Sequence, residues 1–254
     1  MSAAGCIAAV RRLWWVGALA IVLVSAVITG ALVYTLKNTP GRLTLGDHPP
    51  TSGLPKPTSP PIELADACGE GPLTRAAVEW AIQPGSQAGF RAHENFLEFQ
   101  FPHEAVARSN AVAGFLVGSA DRRNLSSACV AVDLRSLKSV DKLPPPLPPA
   151  SDRDQLFREM LGLSDYPVAV FRTQQLRLPP TANGQTFHLD FGGDLAIRGT
   201  TKPVNVSADC RLNSAQLACA GAAHIDAREF DVPVPDGPIQ VDPTITVEFS
   251  LFFG

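Results

Sequence analysis

The sequence has no run of Lys or Arg and little charge of either sign: 18% of its 254 residues are charged, with a formal net charge of -3. With no basic stripe to neutralise phosphates, nucleic-acid binding is excluded. Catalytic signatures are missing as well. There is no Gly-x-Ser-x-Gly, no His-Glu-x-x-His and no Gly-rich loop joining a strand to a helix. The histidines His48, His93, His103, His188 and His224 are scattered without ligand spacing. His93 stands beside Glu94, but neighbours on a strand face opposite sides, so the two do not form an acid–base pair. Lys202 before Pro203 reads as a solvated turn residue. No catalytic residue, metal or cofactor is expected, and a binding or structural role is favoured over an enzyme.

Charge is wholly absent from residues 13–36, LWWVGALAIVLVSAVITGALVYTL. At ~1.5 Å per residue a helix of this run spans roughly 36 Å, more than the ~30 Å hydrocarbon core of a bilayer. Trp14, Trp15 and Tyr34 lie near its ends, where amphipathic rings favour the interface. A cleaved signal peptide is the competing reading, but its apolar region is usually ~7–15 residues long. The sequence therefore predicts a single-pass signal-anchor, with residues 1–12 cytoplasmic. Arg11 and Arg12 nearly balance Lys37 and Arg42 across the run, so orientation leans on the short N-terminal tail and on the cysteines.

Residues 37–75 carry Pro40, Pro49, Pro50, Pro55, Pro57, Pro60, Pro61 and Pro72 among Gly, Ser and Thr, with no apolar period. Such a stretch reads as a semi-extended linker. Of five cysteines, Cys6 precedes the apolar run, leaving an even set of Cys68, Cys129, Cys210 and Cys219 for an oxidising, extracytoplasmic compartment. In CRLNSAQLAC a turn over residues 213–216 would pair Leu212 with Leu217 and set Cys210 opposite Cys219. Opposed antiparallel Cα atoms lie ~4.5–5.5 Å apart, within disulfide reach. A Cys210–Cys219 bridge is predicted, and Cys68–Cys129 follows by elimination.

Residues 76–254 read mainly as strands. In TITVEFSLFF, Ile245, Val247, Phe249 and Leu251 share one face, while Thr246, Glu248 and Ser250 share the other. FLEFQF sets Leu97 and Phe99 against Glu98 and Gln100. Val130 and Val132 alternate in SSACVAVDL, and Phe187, Leu189 and Phe191 in TFHLDF. Further strands are expected in VEWAI, SQAGFRAH, SNAVAGFLVG, YPVAVFRTQ and GDLAIRG. One helix is expected in RDQLFREMLGL, capped by Ser151 or Asp152, with Leu156, Phe157, Met160 and Leu161 on one face. PPPLPP at 144–149 reads as an exposed rim loop. Eight to ten short antiparallel strands avoid open edges by closing into a barrel or pairing as a sandwich, and periodicity does not separate the two.

Four stretches in order resemble the YceI-like family. WAIQPGSQAGFRAHE is similar to its opening pattern through Trp80, Ile82, Ser86 and Phe90. VAVDLRSL, RDQLFR and YPVAVF resemble its central strand, Arg-Asp helix and Tyr-Pro strand, through Arg153, Asp154, Tyr166, Pro167 and Phe171. GDLAIRGTTKPVNV resembles its hairpin through Gly193, Leu195, Ile197, Gly199, Thr201, Lys202, Pro203 and Val204. DAREFDVPVPD leads into the last strand as in the family. The chain departs from the pattern at Gln83, Gly85, Leu156, Leu161 and Gly162. The resemblance implies an all-β, eight-stranded antiparallel lipocalin-like barrel with a short helix. It also implies a long-chain lipid ligand, typically a polyisoprenoid.

The inward-facing candidates for that ligand are Phe90, Leu97, Phe99, Val130, Val132, Phe187, Leu189, Phe191, Ile245, Val247, Phe249 and Leu251. Each buried CH₂ contributes ~0.8 kcal/mol and association costs ~4–15 kcal/mol, so a ligand of about ten carbons would scarcely bind. The expectation is a barrel that binds a long-chain lipid, tethered to the cell membrane, as a monomer or homodimer. The alternative is a structural or interaction barrel filled by its own side chains.

Overall fold

The computed structural model describes residues 77–99, 101–119, 125–174, 176–179, 184–213 and 216–254, with 25, 29–30, 33–34, 37–46, 64 and 66–69 of the N-terminal region. Most of the expected membrane span, 13–36, lies outside the described residues. Among the described residues no helix is long and apolar enough to cross a membrane.

The domain is all-β and antiparallel, with one short helix. Its strands are β1 (Ala77–Ala81), β2 (Gln87–Phe96), β3 (Phe101–Ser109), β4 (Val112–Ser119), β5 (Leu125–Asp133) and β6 (Lys138–Ser139). After helix α1 (Ala150–Leu161) come β7 (Val168–Gln174), β8 (Thr186–Ile197), β9 (Thr200–Leu212), β10 (Leu217–Asp226), β11 (Ile239–Val241) and β12 (Thr244–Phe253). The sheet order is β1-β4-β5-β7-β8-β9-β10-β12-β2-β3-β6, with β11 on β2. β12 pairs with β2, which continues β1 past a turn, and Ile82 bridges to Phe253. The sheet thus curls back on its own first strand as a barrel. That turn is held by Ser86, whose hydroxyl donates to Gln83 O and accepts from Phe252 N.

The elements follow the pattern of the sequence, with four differences. FLEFQF is not a strand. Phe96 and Phe101 are paired and buried, and Leu97 to Phe99 form the turn between β2 and β3. Three apolar residues at alternate positions imitate a strand, but the chain reverses among them. TFHLDF and GDLAIRG are one strand, β8, since Gly192 and Gly193 lie within its ladder to β9. Helix α1 begins one residue before the expected caps. Pro149 precedes it without a side-chain cap, its carbonyl accepting from Asp152 N–H. PPPLPP is not a freely exposed loop either, because Leu147 is buried beside Phe96 and Phe101.

The β8–β9 hairpin turns on Arg198 and Gly199 alone, with Ile197 paired to Thr200. Both turn residues have positive φ, 50° and 77°, as the tight turns favoured between twisted strands require. At Gly193 the need is space: a Cβ there would fall 2.3 Å from Phe171 Cζ, so the ring of β7 lies directly over this glycine.

Parts of the expected linker pack on the barrel. The carbonyls of Pro40 and Gly41 accept from Arg91 Nη2 at 2.9 and 2.6 Å, and Leu43 N donates to Glu248 Oε2 at 3.3 Å. Further on, Leu64, Ala67 and Cys68 pack against Ala113, Cys129 and Ala131 on another outer patch. An extended segment outside any ladder leaves its backbone carbonyls free to accept from arginines.

Candidate functional site

Strand alternation sends one set of side chains into the barrel, where they line a cavity of about 490 Å³. β5 contributes Ala128, Val130 and Val132, and β12 contributes Ile245, Val247, Phe249 and Leu251. One end, the base, is closed by a buried cluster that includes Trp80, Leu116, Leu125, Leu217 and Phe253. Helix α1 lies across the other end, the mouth. Its Leu156, Phe157, Met160 and Leu161 face the cavity as the helical pattern predicts, and Phe157 meets Phe90 edge-on at 5.1 Å.

Of the twelve inward candidates, nine line the cavity: Phe90, Val130, Val132, Leu189, Phe191, Ile245, Val247, Phe249 and Leu251. Phe187 packs against the basal cluster instead. Leu97 and Phe99 do not point inward. They are 43% and 47% exposed at the tip of the β2–β3 turn, because the chain reverses there.

Both predicted disulfides are present. Cys210 and Cys219 are directly paired across β9 and β10, with Leu212 opposite Leu217, as the hairpin geometry requires. Cys68–Cys129 ties the end of the linker to β5. Both Cys210 and Cys219 lie on the cavity wall.

A buried polar cluster sits under α1 and joins residues distant in sequence. Asp141 accepts from Val106 N at 2.8 Å, pairs with His103 Nε2 at 2.7 Å and forms an ion pair with Arg153 Nη1. Arg153 Nη1 also lies 3.9 Å from Glu94 Oε1. Burial pushes the Asp141 carboxyl up, but the His103 and Val106 hydrogen bonds and the Arg153 charge outweigh it and hold it below the usual range. Burial dominates at Glu94 and leaves its carboxyl above the usual range, despite the charges of His103 and Arg153. Asp154, next in sequence to Arg153, accepts from Ser139 N at 2.8 Å. The Arg-Asp pair therefore pins α1 over the mouth: Arg153 holds the loop carrying Asp141, and Asp154 holds β6. Neither Asp141 nor His103 was singled out by the sequence, because their partners come from separate elements with no regular spacing.

The sign at Glu94 follows from linkage. A carboxyl raised on folding stabilises the fold below its unfolded value and loses that contribution as pH rises through the folded value. E94Q is therefore expected to unfold at higher denaturant than the parent at pH 7, with the gain vanishing near pH 4. Chemical denaturation at the two pH values reads this. Asp141 has the opposite sign: its contribution is present above the usual aspartate range and is lost as pH falls through the folded value.

On the outer wall, buried Arg91 of β2 donates from Nε to Glu248 Oε2 of β12 at 2.8 Å and from Nη1 to Glu104 Oε2 at 2.8 Å. Arg108 Nη2 reaches Glu248 Oε1 at 2.9 Å. Burial opposes ionisation of Glu248, but the two arginines prevail and hold its carboxyl low. This is the network onto which residues 40–43 fold.

A curled antiparallel sheet around an apolar cavity, crossed at one end by a helix, defines a hollow β-barrel. The family model of the YceI-like domain matches residues 80–253, and the chain belongs to that family. Among solved structures it is similar to a polyisoprenoid binding domain from Saccharophagus degradans implicated in plant cell wall breakdown. The identity is 15%, covering 68% of this chain and 97% of that one, with a TM-score of 0.48. It is also similar to BcnA of Burkholderia cenocepacia at 16% identity, covering 66% and 95%, with a TM-score of 0.47. No curated protein matches the chain.

Proposed function

We propose that the protein binds a long-chain apolar lipid, with an isoprenoid tail as the favoured class, and sequesters or transfers it without chemical turnover. The observation that carries this reading is the cavity. It is continuous from the base to α1, nearly all apolar, and within the ~300–1,000 Å³ typical of ligand pockets. A barrel filled by its own side chains would leave no such space. We further read the ladder as an eight-stranded, lipocalin-like cup. The turn at 83–86 splits its first strand into β1 and β2, and β3 and β4 are likewise one bent pass against it.

The apolar run at 13–36 supports a tether to a membrane, and the two disulfides support an extracytoplasmic domain. A tether keeps the cavity near the bilayer that supplies its ligand.

A series of isoprenoid alcohols of increasing length tests the reading. Each added isoprene unit is expected to tighten binding by at least about tenfold until the cavity is full, since each buried CH₂ contributes ~0.8 kcal/mol. Fluorescence competition with the full chain measures it. Affinities that stay flat with length would count against a lipid cavity.

A further inference from the structure

We propose that the mouth of the barrel is a membrane-docking surface, seated on the bilayer by the tips of the β2–β3 turn and α1 and held there by the strap of residues 40–44. The proposal rests on the lipid-carrier reading and adds an orientation to it.

The first observation is where apolar side chains are exposed. Among the described residues of the barrel domain the exposed large ones are Leu97, Phe99, Val140, Leu156 and Tyr166. Val140 lies beside the middle of β3, bonded through its N–H to Val106 O. The other four ring the mouth. Leu97 and Phe99 form the tip of the β2–β3 turn, Leu156 lies on α1, and Tyr166 packs against Gly199 of the β8–β9 hairpin. Leu156 also lines the cavity, so the exposed rim and the interior are one surface. Grouped exposed apolar residues of this kind mark an interaction site.

The second observation is the direction of the strap. Pro40 and Gly41 bind Arg91, Leu43 binds Glu248, and the Thr44 carbonyl accepts from Ser250 Oγ. The strap therefore runs beside β12 in the same sense, from the mouth toward the base. Traced backward, the chain leaves the wall on the mouth side, and only residues 37–39 separate Pro40 from the uncharged run 13–36. At ~3.3–3.6 Å per residue, the end of that run lies within about 14 Å of Pro40. From Arg91 to Phe96 a strand rises about 17 Å toward the turn. A bilayer holding the run would thus meet the tip carrying Leu97 and Phe99, not the base.

The rim also carries exposed Glu98, Asp165 and Asp236 beside exposed Arg158 of α1, so it presents no net positive charge to an anionic surface. Attachment is therefore apolar, and it is expected on zwitterionic vesicles without dependence on salt.

Tryptophan quenching tests the orientation. The full chain, with W14F and W15F to silence the apolar run, is reconstituted into phosphatidylcholine vesicles containing brominated lipid. It carries F99W at the mouth, N213W at the base, or neither, the last giving the emission of basal Trp80 to be subtracted. Quenching at 99 several-fold stronger than at 213 is expected, whereas equal or reversed quenching overturns the proposal. In a second arm, L97E/F99E is expected to slow lipid uptake from vesicles at least about tenfold and to leave uptake of the same lipid from ethanol dilution unchanged. Unchanged vesicle uptake overturns the docking role. Retained lipid with equal quenching fails the docking proposal alone. Selective quenching at 99 in a chain that takes up lipid from neither source fails the carrier reading and leaves the orientation standing.

Discussion

V130W is expected to abolish tight lipid binding while leaving the barrel folded. Val130 faces the cavity from the middle of β5, between Ala128 and Val132 on the same wall. An indole there projects into open space instead of into packed neighbours, so the usual penalty for overpacking a core applies only weakly. It would occupy the room of about five methylenes of ligand, worth ~4 kcal/mol or about a thousandfold in affinity. Binding titrations and unfolding curves on the same sample separate the two effects: the dissociation constant rises by about three orders of magnitude while the unfolding midpoint holds or increases. Unchanged affinity would mean that the ligand sits elsewhere.

The largest loss of stability is expected at Asp141. D141A removes the carboxylate that Arg153, His103 and the Val106 N–H share, and leaves a buried guanidinium with the residue 141 backbone carbonyl at 3.2 Å and the Glu94 carboxyl at 3.9 Å, neither a full counter-charge in contact. Breaking a buried ion pair from one side costs about 3–5 kcal/mol, because the remaining charge is stranded away from water. Among the described residues Arg153 Nε already has no hydrogen-bond partner, so the guanidinium is under-satisfied even before the change. Because Arg153 and Asp154 fix α1, the variant should also release the helix, visible as faster amide exchange across 150–161. A D141N/R153M double variant, which removes the stranded guanidinium together with the carboxylate, is expected to recover part of the loss. Urea denaturation of the three proteins decides it, and a D141A loss below about 1 kcal/mol would show that the cluster does not hold the mouth.

The parts of this molecule legible in sequence were those with a short-range rule behind them. Cys210 and Cys219 could be paired because a turn at 213–216 fixes register, and register determines which residues oppose each other. β12 and β5 could be aimed because period two sends alternate side chains to one face. The same rule misled at FLEFQF, where Leu97 and Phe99 alternate but the backbone turns back, and a reversal inside an apolar run leaves period two intact. TFHLDF and GDLAIRG read as two strands, yet Gly192 and Gly193 lie within one ladder. Gly193 is a glycine to admit Phe171 from β7, a neighbour far off in sequence.

The polar cluster and the strap follow no local rule. Glu94, His103, Asp141 and Arg153 come from β2, β3, a loop and α1, and no interval between them repeats. Arg153 and Asp154 were visible as part of the family resemblance, but their partners were not. Residues 40–44 read as linker from composition, since what holds them is Arg91 and Glu248, contributed by strands far along the chain.

On the proposed function, the cavity holds a long-chain lipid. The most direct measurement is solvent extraction of the purified full-length chain, with identification and quantitation of the extract by mass spectrometry beside V130W prepared in parallel. Close to one lipid per chain is expected, with a tail well beyond about ten carbons since each buried CH₂ contributes ~0.8 kcal/mol against an association cost of ~4–15 kcal/mol, and it should be lost from V130W. An empty wild-type chain that also takes up no added long-chain lipid, or equal lipid from both proteins, would contradict that function.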